Sequence, residues 1–156
     1  MAKVDTAKIA KNVFEEIASA FPNLKSRIHE DEPVELSMDI PKQDGLDFDI
    51  KLNNQNYDEL HFGVGYFWCG WFPCTDRQKV EEYKKSVIGF IAGDYRILEH
   101  LRGRRAVKAE LQVPKNESWI TVASSSWGLP WPFPRQKTYR VVQNTNLPGE
   151  PDGLGS

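Results

Sequence analysis

Between residues 34 and 68 apolar and polar side chains alternate with a period of two. In "VELSMDI" (34–40), Val34, Leu36, Met38 and Ile40 alternate with Glu35, Ser37 and Asp39. In "LDFDIKL" (46–52), Leu46, Phe48, Ile50 and Leu52 alternate with Asp47, Asp49 and Lys51. "YDELHFGVGYFW" (57–68) places Leu60, Phe62, Val64, Tyr66 and Trp68 on one side. Successive side chains of a strand point to opposite faces, so these segments bury one face and wet the other, as antiparallel sheets do. "PKQDG" (41–45) and "NNQN" (53–56) read as turns, the first with Pro fixing φ and Gly free to take positive φ. A less regular strand, "LKSRIHE" (24–30), precedes them.

A half-buried sheet needs a cover, and two segments have helical spacing. In "DTAKIAKNVFEEIASAF" (5–21), Ala10, Val13, Phe14, Ile17 and Phe21 form one stripe, Asp5 or Thr6 caps the start and Pro22 stops the helix. In the second, Val80, Tyr83, Val87, Phe90 and Ile91 form the stripe, "TDRQ" (75–78) has the form of a capping box, and Gly93 suits the C-terminal end.

More strands follow: "YRILEHL" (95–101) and "RAVKAELQV" (105–113) as a hairpin around Gly103, then "WITVASS" (119–125) and "TYRVV" (138–142). The proline-rich "WGLPWPFPRQ" (127–136) does not suit a central strand. These elements predict an α+β fold with two helices packed on one face of a largely antiparallel sheet of about seven or eight strands. The order helix–strands–helix–strands suggests an internal (αβ4)2 duplication, because "VELSMDIPK" (34–42) parallels "VKAELQVPK" (107–115) and "RIHE" (27–30) parallels "RILE" (96–99). The expected organisation is a single domain over 1–143, with half-repeats 1–74 and 75–143, followed by a disordered tail over 144–156.

Length and composition narrow the class. A chain of 156 residues with 40% hydrophobic and 27% charged residues builds one core without staples. No apolar run is long enough to span a membrane, and "MAKVDTAKIAK" lacks the apolar stretch of a secretory signal. The two cysteines, Cys69 and Cys74, are too few for a secreted disulfide scaffold or a tetrahedral zinc site, so a cytoplasmic protein with no metal is expected. Acidic groups dominate before residue 75 and basic groups after it, for a net charge of −2.

No catalytic motif stands out: there is no Gly-rich phosphate loop after a strand and no Gly-x-Ser-x-Gly elbow. In "WCGWFPC" (68–74) four residues separate the cysteines, where Cys-x-x-Cys redox pairs have two, and both precede the helix start. The stretch reads mainly as a strand-to-helix corner, with Cys74 and His61 kept as catalytic candidates.

Function is expected on the uncovered sheet face. That face carries His61, with Gly63 and Gly65 leaving a bare place beside it. The first half adds Glu35, Asp39, Asp47 and Asp49, and the second adds Arg96, His100, Arg102 and Lys108, giving acidic and basic flanks able to orient a charged partner. Trp127 and Trp131 in the Trp/Pro loop are of a residue type enriched at binding hot spots. The favoured reading is a non-enzymatic cytoplasmic binding or adaptor protein for an unknown protein partner, without cofactor. The alternative is a small-molecule-binding protein or thiol-dependent enzyme with its site near His61 and Cys74. "HLRGRRAVK" (100–108) is the one basic cluster, too short for nucleic acid to be an expected partner.

Overall fold

The computed structural model describes residues 5–30, 36–127 and 137–148. The first apolar stripe forms helix α1, Thr6–Ala20, with Asp5 as N-cap; its side chain accepts from the N–H of Lys8 at 3.1 Å. Ala10, Val13, Phe14 and Ile17 of α1 are buried. The second stripe forms α2, Arg77–Ile91, burying Tyr83, Val87, Phe90 and Ile91. Its N-cap is Asp76, which accepts from Gln78 at 2.9 Å, one residue later than the capping box at Thr75 predicts. Gly93 takes the positive φ of 81° that ends this helix.

The first five strands are β1 Arg27–His29, β2 Leu36–Ile40, β3 Ile50–Gln55, β4 Glu59–Val64 and β5 Phe67–Trp71. They pair antiparallel in sequence order as one sheet. The register sets Met38, Leu52, Phe62 and Cys69 in one cross-strand row and Ile40, Ile50, Val64 and Phe67 in the next. α1 packs on β2 and β3, α2 on β4 and β5, and the helices touch each other. Phe62 centres the core, its ring 5.6 Å from Phe67 and 6.0 Å from Phe90. Burying a side chain of this size contributes about 1.5–3 kcal/mol, and Phe62→Ala would cost about 3–5 kcal/mol.

Three local expectations change. The run 57–68 is not one strand. It turns at Gly65 and Tyr66, with Gly65 at φ 57°, so Val64 and Phe67 pair and Trp68 points away from the core. The run 46–52 becomes a strand only from Ile50. Asp47 and Asp49 stand in the preceding turn, where Asp49 accepts from the N–H of Lys42 at 2.8 Å. They therefore do not lie on a sheet face. "NNQN" contributes Asn53, Asn54 and Gln55 to β3 rather than to a turn.

The remaining strands, β6 Arg96–Arg102, β7 Arg105–Lys115, β8 Ser118–Ser126 and β9 Lys137–Val142, form a second antiparallel sheet in the order β8-β7-β6-β9. The fold is thus α+β with two helices and antiparallel strands, but in sheets of five and four rather than one of seven or eight. The reason lies at the free edges. β6, the strand that follows α2, has both edges taken, by β7 and β9. At β5 the N–H of Trp68 goes to the Ser125 hydroxyl of β8, at 3.3 Å, instead of to a backbone ladder. Ile97, Ala109, Leu111 and Val142 carry the second sheet into the same core. The two halves share helix-then-strands order but differ in strand order.

Residues 144–148, expected to open the tail, are docked. Asn144 is buried: its amide donates to the carbonyls of Gly45 and Ile91, at 3.1 and 2.7 Å, and its oxygen accepts from the N–H of Asp47 at 2.9 Å. Asp47 in turn accepts from the N–H groups of Thr145 and Asn146, at 2.9 and 3.2 Å.

Candidate functional site

The face of the first sheet turned away from the helices carries Ser37, Asn53, His61 and Gly70 in one row and Asp39, Lys51, Gly63 and Trp68 in the next. The bare place expected at Gly63 is filled. The Trp68 indole lies over it, and stacks on the His61 ring with centroids 5.1 Å apart and planes 24° from parallel. Gly70 makes room for His61 in the same way. His61 Nε2 meets Glu59 at 3.0 Å, and this contact, with Asn56, holds the Glu59 carboxyl below its ordinary range. Gly65 is not on this face but in the turn, against Glu99. Asp39 pairs with His29 at 3.1 Å.

The structure does not bring Cys74 and His61 together. Cys74 is 2% exposed and belongs to the core between sheet and helices, while His61 faces the other way. Burial pushes the Cys69 thiol up, so less of it is thiolate at neutral pH. Burial also holds the Tyr83 phenol well above its ordinary value; it donates to the His61 carbonyl at 2.8 Å. Among the described residues no group of three His, Cys, Asp or Glu side chains is placed to hold a metal, and no helix is long and apolar enough to cross a membrane.

Where the sheets meet, the β4–β5 turn reaches the inner face of the second sheet. Glu99 stands on that face between Ile97 and Leu101 and is fully buried. One carboxylate oxygen accepts from the Tyr66 N–H at 3.1 Å, and the other receives Arg140 Nε at 2.6 Å. A buried carboxylate with an ion partner and a backbone donor is satisfied rather than orphaned. The Arg140 guanidinium lies 5.8 Å from the Tyr66 ring centroid, and Trp127 packs edge-on to Tyr66 at 6.5 Å. The backbone N–H of Trp127 donates to the Val107 carbonyl at 2.9 Å. Tyr66 is 46% exposed, Trp127 40%, and the Arg140 side chain 53%. An exposed Tyr-Trp-Arg surface therefore stands beside a buried ionic support.

The outer face of the second sheet gathers Arg96, His100, Arg102 and Lys108, as their strand positions predict. It is not continuous with Asp39, which stands on the other sheet, or with Asp47 and Asp49, which stand in a turn. Arg96 lies over Trp119 at 4.2 Å. Glu110 takes Lys108 at 3.1 Å, and His100 Nε2 approaches it equally closely but without hydrogen-bond alignment. Glu35 and Trp131 lie outside the described residues.

Sequence reasoning missed Tyr66, Glu99 and Arg140. Glu99 did carry a signal: in "RILEHL" it occupies the same parity as Ile97 and Leu101, an acid at a core position. Comparison with known proteins finds no matching family model, no similar curated protein and no similar solved structure.

Proposed function

We propose that the chain is a non-enzymatic binding protein that docks a protein partner on Tyr66, Trp127 and Arg140. The observation that carries this reading is the exposed aromatic pair with a guanidinium fixed beside it. Trp, Tyr and Arg are the residue types that concentrate binding energy at interfaces. Fixed side chains lose little freedom when a partner arrives, so more of the contact energy appears as affinity. Trp127 is also the first residue of the Trp/Pro-rich stretch 127–136 of the sequence. A reducing, cytoplasmic setting fits a chain with only two cysteines, Cys69 and Cys74.

A photo-crosslinking residue at position 66, in cells that make the protein, tests the reading. Tyr57, 41% exposed on the β3–β4 turn, is the control position. A protein captured from 66 but not from 57, and lost in Trp127→Ala, supports docking there. Equal capture at both positions, or capture indifferent to Trp127→Ala, rejects it.

A further inference from the structure

On the outer face of the second sheet the strand pairing sets three cations side by side. Arg102 of β6 faces Arg105 across β7 and Lys137 across β9. Like charges directly opposite one another on neighbouring strands destabilise a sheet. None of the three has a carboxylate within ion-pair distance among the described residues, and Glu110 is engaged with Lys108. Arg104 adds a further cation in the β6–β7 turn.

Beside this row the β7 bulge opens a cavity of about 270 Å³. Arg102, Lys108 and Lys137 line it with His100, Thr138 and Tyr139. The cavity offers cations for charge and hydroxyls for hydrogen bonds. The Tyr139 ring is 60% exposed and stands edge-on to His100 at 5.1 Å. We propose that this cavity is an anion site for a small organic phosphate: the phosphate sits among Arg102, Lys108 and Lys137, and a flat organic part lies against Tyr139.

Three observations favour a small phosphate. The volume falls near the lower end of small-ligand pockets, about 300–1,000 Å³. Arg and Lys together supply planar and point-charge donors suited to a tetrahedral dianion. Among the described residues these basic groups gather at one end of one sheet, in a chain whose net charge is −2, a short footprint for a nucleic-acid backbone. The cavity lining includes none of Tyr66, Trp127 and Arg140, so substitutions can test either proposal alone.

Titration of the full chain with inorganic phosphate and with adenosine monophosphate, followed by amide NMR, tests it. Saturable shifts at His100, Arg102 and Lys137 are expected, with the nucleotide binding about tenfold tighter through the added ring contact. Arg102→Gln and Lys137→Gln, both at partly or fully exposed positions, should each weaken binding about tenfold or more with the fold retained. Tyr139→Ala should remove the preference for the nucleotide over phosphate. The proposal fails if shifts do not saturate or if neither Gln variant weakens binding. It fails equally if a single-stranded oligonucleotide binds far tighter than the mononucleotide with a steep salt dependence, which would mark a polyanion surface.

Discussion

The indole of Trp68 lies against Gly63, its cross-strand partner, so closely that a Cβ on Gly63 would stand 2.3 Å from the ring atom Cε3. Gly63→Ala must therefore move the indole, which is also stacked on His61. Overpacking of this kind costs about 1–3 kcal/mol. Urea unfolding should show that loss in Gly63→Ala, and much less further loss when alanine is added to Trp68→Ala, where the space is already free. Equal losses in both backgrounds would mean that Trp68 is not what constrains position 63.

The pairing of Glu99 with Arg140 predicts strong non-additivity. Arg140→Met leaves a buried carboxylate with only the Tyr66 N–H. Breaking a buried pair from one side costs about 3–5 kcal/mol, and the half-exposed guanidinium places this case toward the lower end. The double change Glu99→Met with Arg140→Met removes the stranded charge and should recover most of the loss. A double-mutant cycle from urea melts measures this. A coupling energy near zero would show that the two side chains act independently.

Much of the architecture was legible in local pattern, and the failures share a cause. Both helices and the core faces of β2, β3 and β4 follow from spacing, because burial on one side imposes the period directly. The Gly65–Tyr66 turn did not show, because "VGYFWC" has no polar residue between its two strands and Gly-Tyr lacks the Asn or Asp of familiar turns. Asp47 and Asp49 alternate like strand residues, yet short acids also satisfy nearby backbone N–H groups, and here that use prevailed. The split into two sheets depends on which edge β6 and β8 find, a long-range choice that no window of sequence contains. The Tyr66–Glu99–Arg140 arrangement inherits that difficulty, since its three residues come from three distant segments.

Asn144 should be among the least replaceable polar residues. It satisfies the carbonyls of Gly45 and Ile91 and the N–H of Asp47 from a position 2% exposed. Each buried group left unpaired costs about 1–3 kcal/mol, so Asn144→Ala should lose at least that much. Asn144→Asp at neutral pH should be no better, because a carboxylate cannot donate to two carbonyls. Thermal melts of the two variants check this. An aspartate as stable as asparagine would rule out the donating role.

Asp47 gives the fold an acid-sensitive tie to its C-terminal segment. The backbone N–H of Thr145, foremost, holds its carboxyl below the ordinary range, with the Thr145 hydroxyl and the N–H of Asn146 adding to it. A carboxyl whose folded pKa lies below its unfolded one stabilises the fold fully above the unfolded value, about 3.9 for Asp. That stability is lost as pH falls through the folded value, because the unfolded chain takes up the proton first. Asp47→Asn should therefore be less stable than the parent at pH 7 and pH 5, and the gap should shrink as the solution is acidified below the ordinary Asp range. Urea unfolding of both proteins down the pH series reads the gap directly. A gap that stays constant or widens in acid would show that the Asp47 charge does not anchor Thr145 and Asn146.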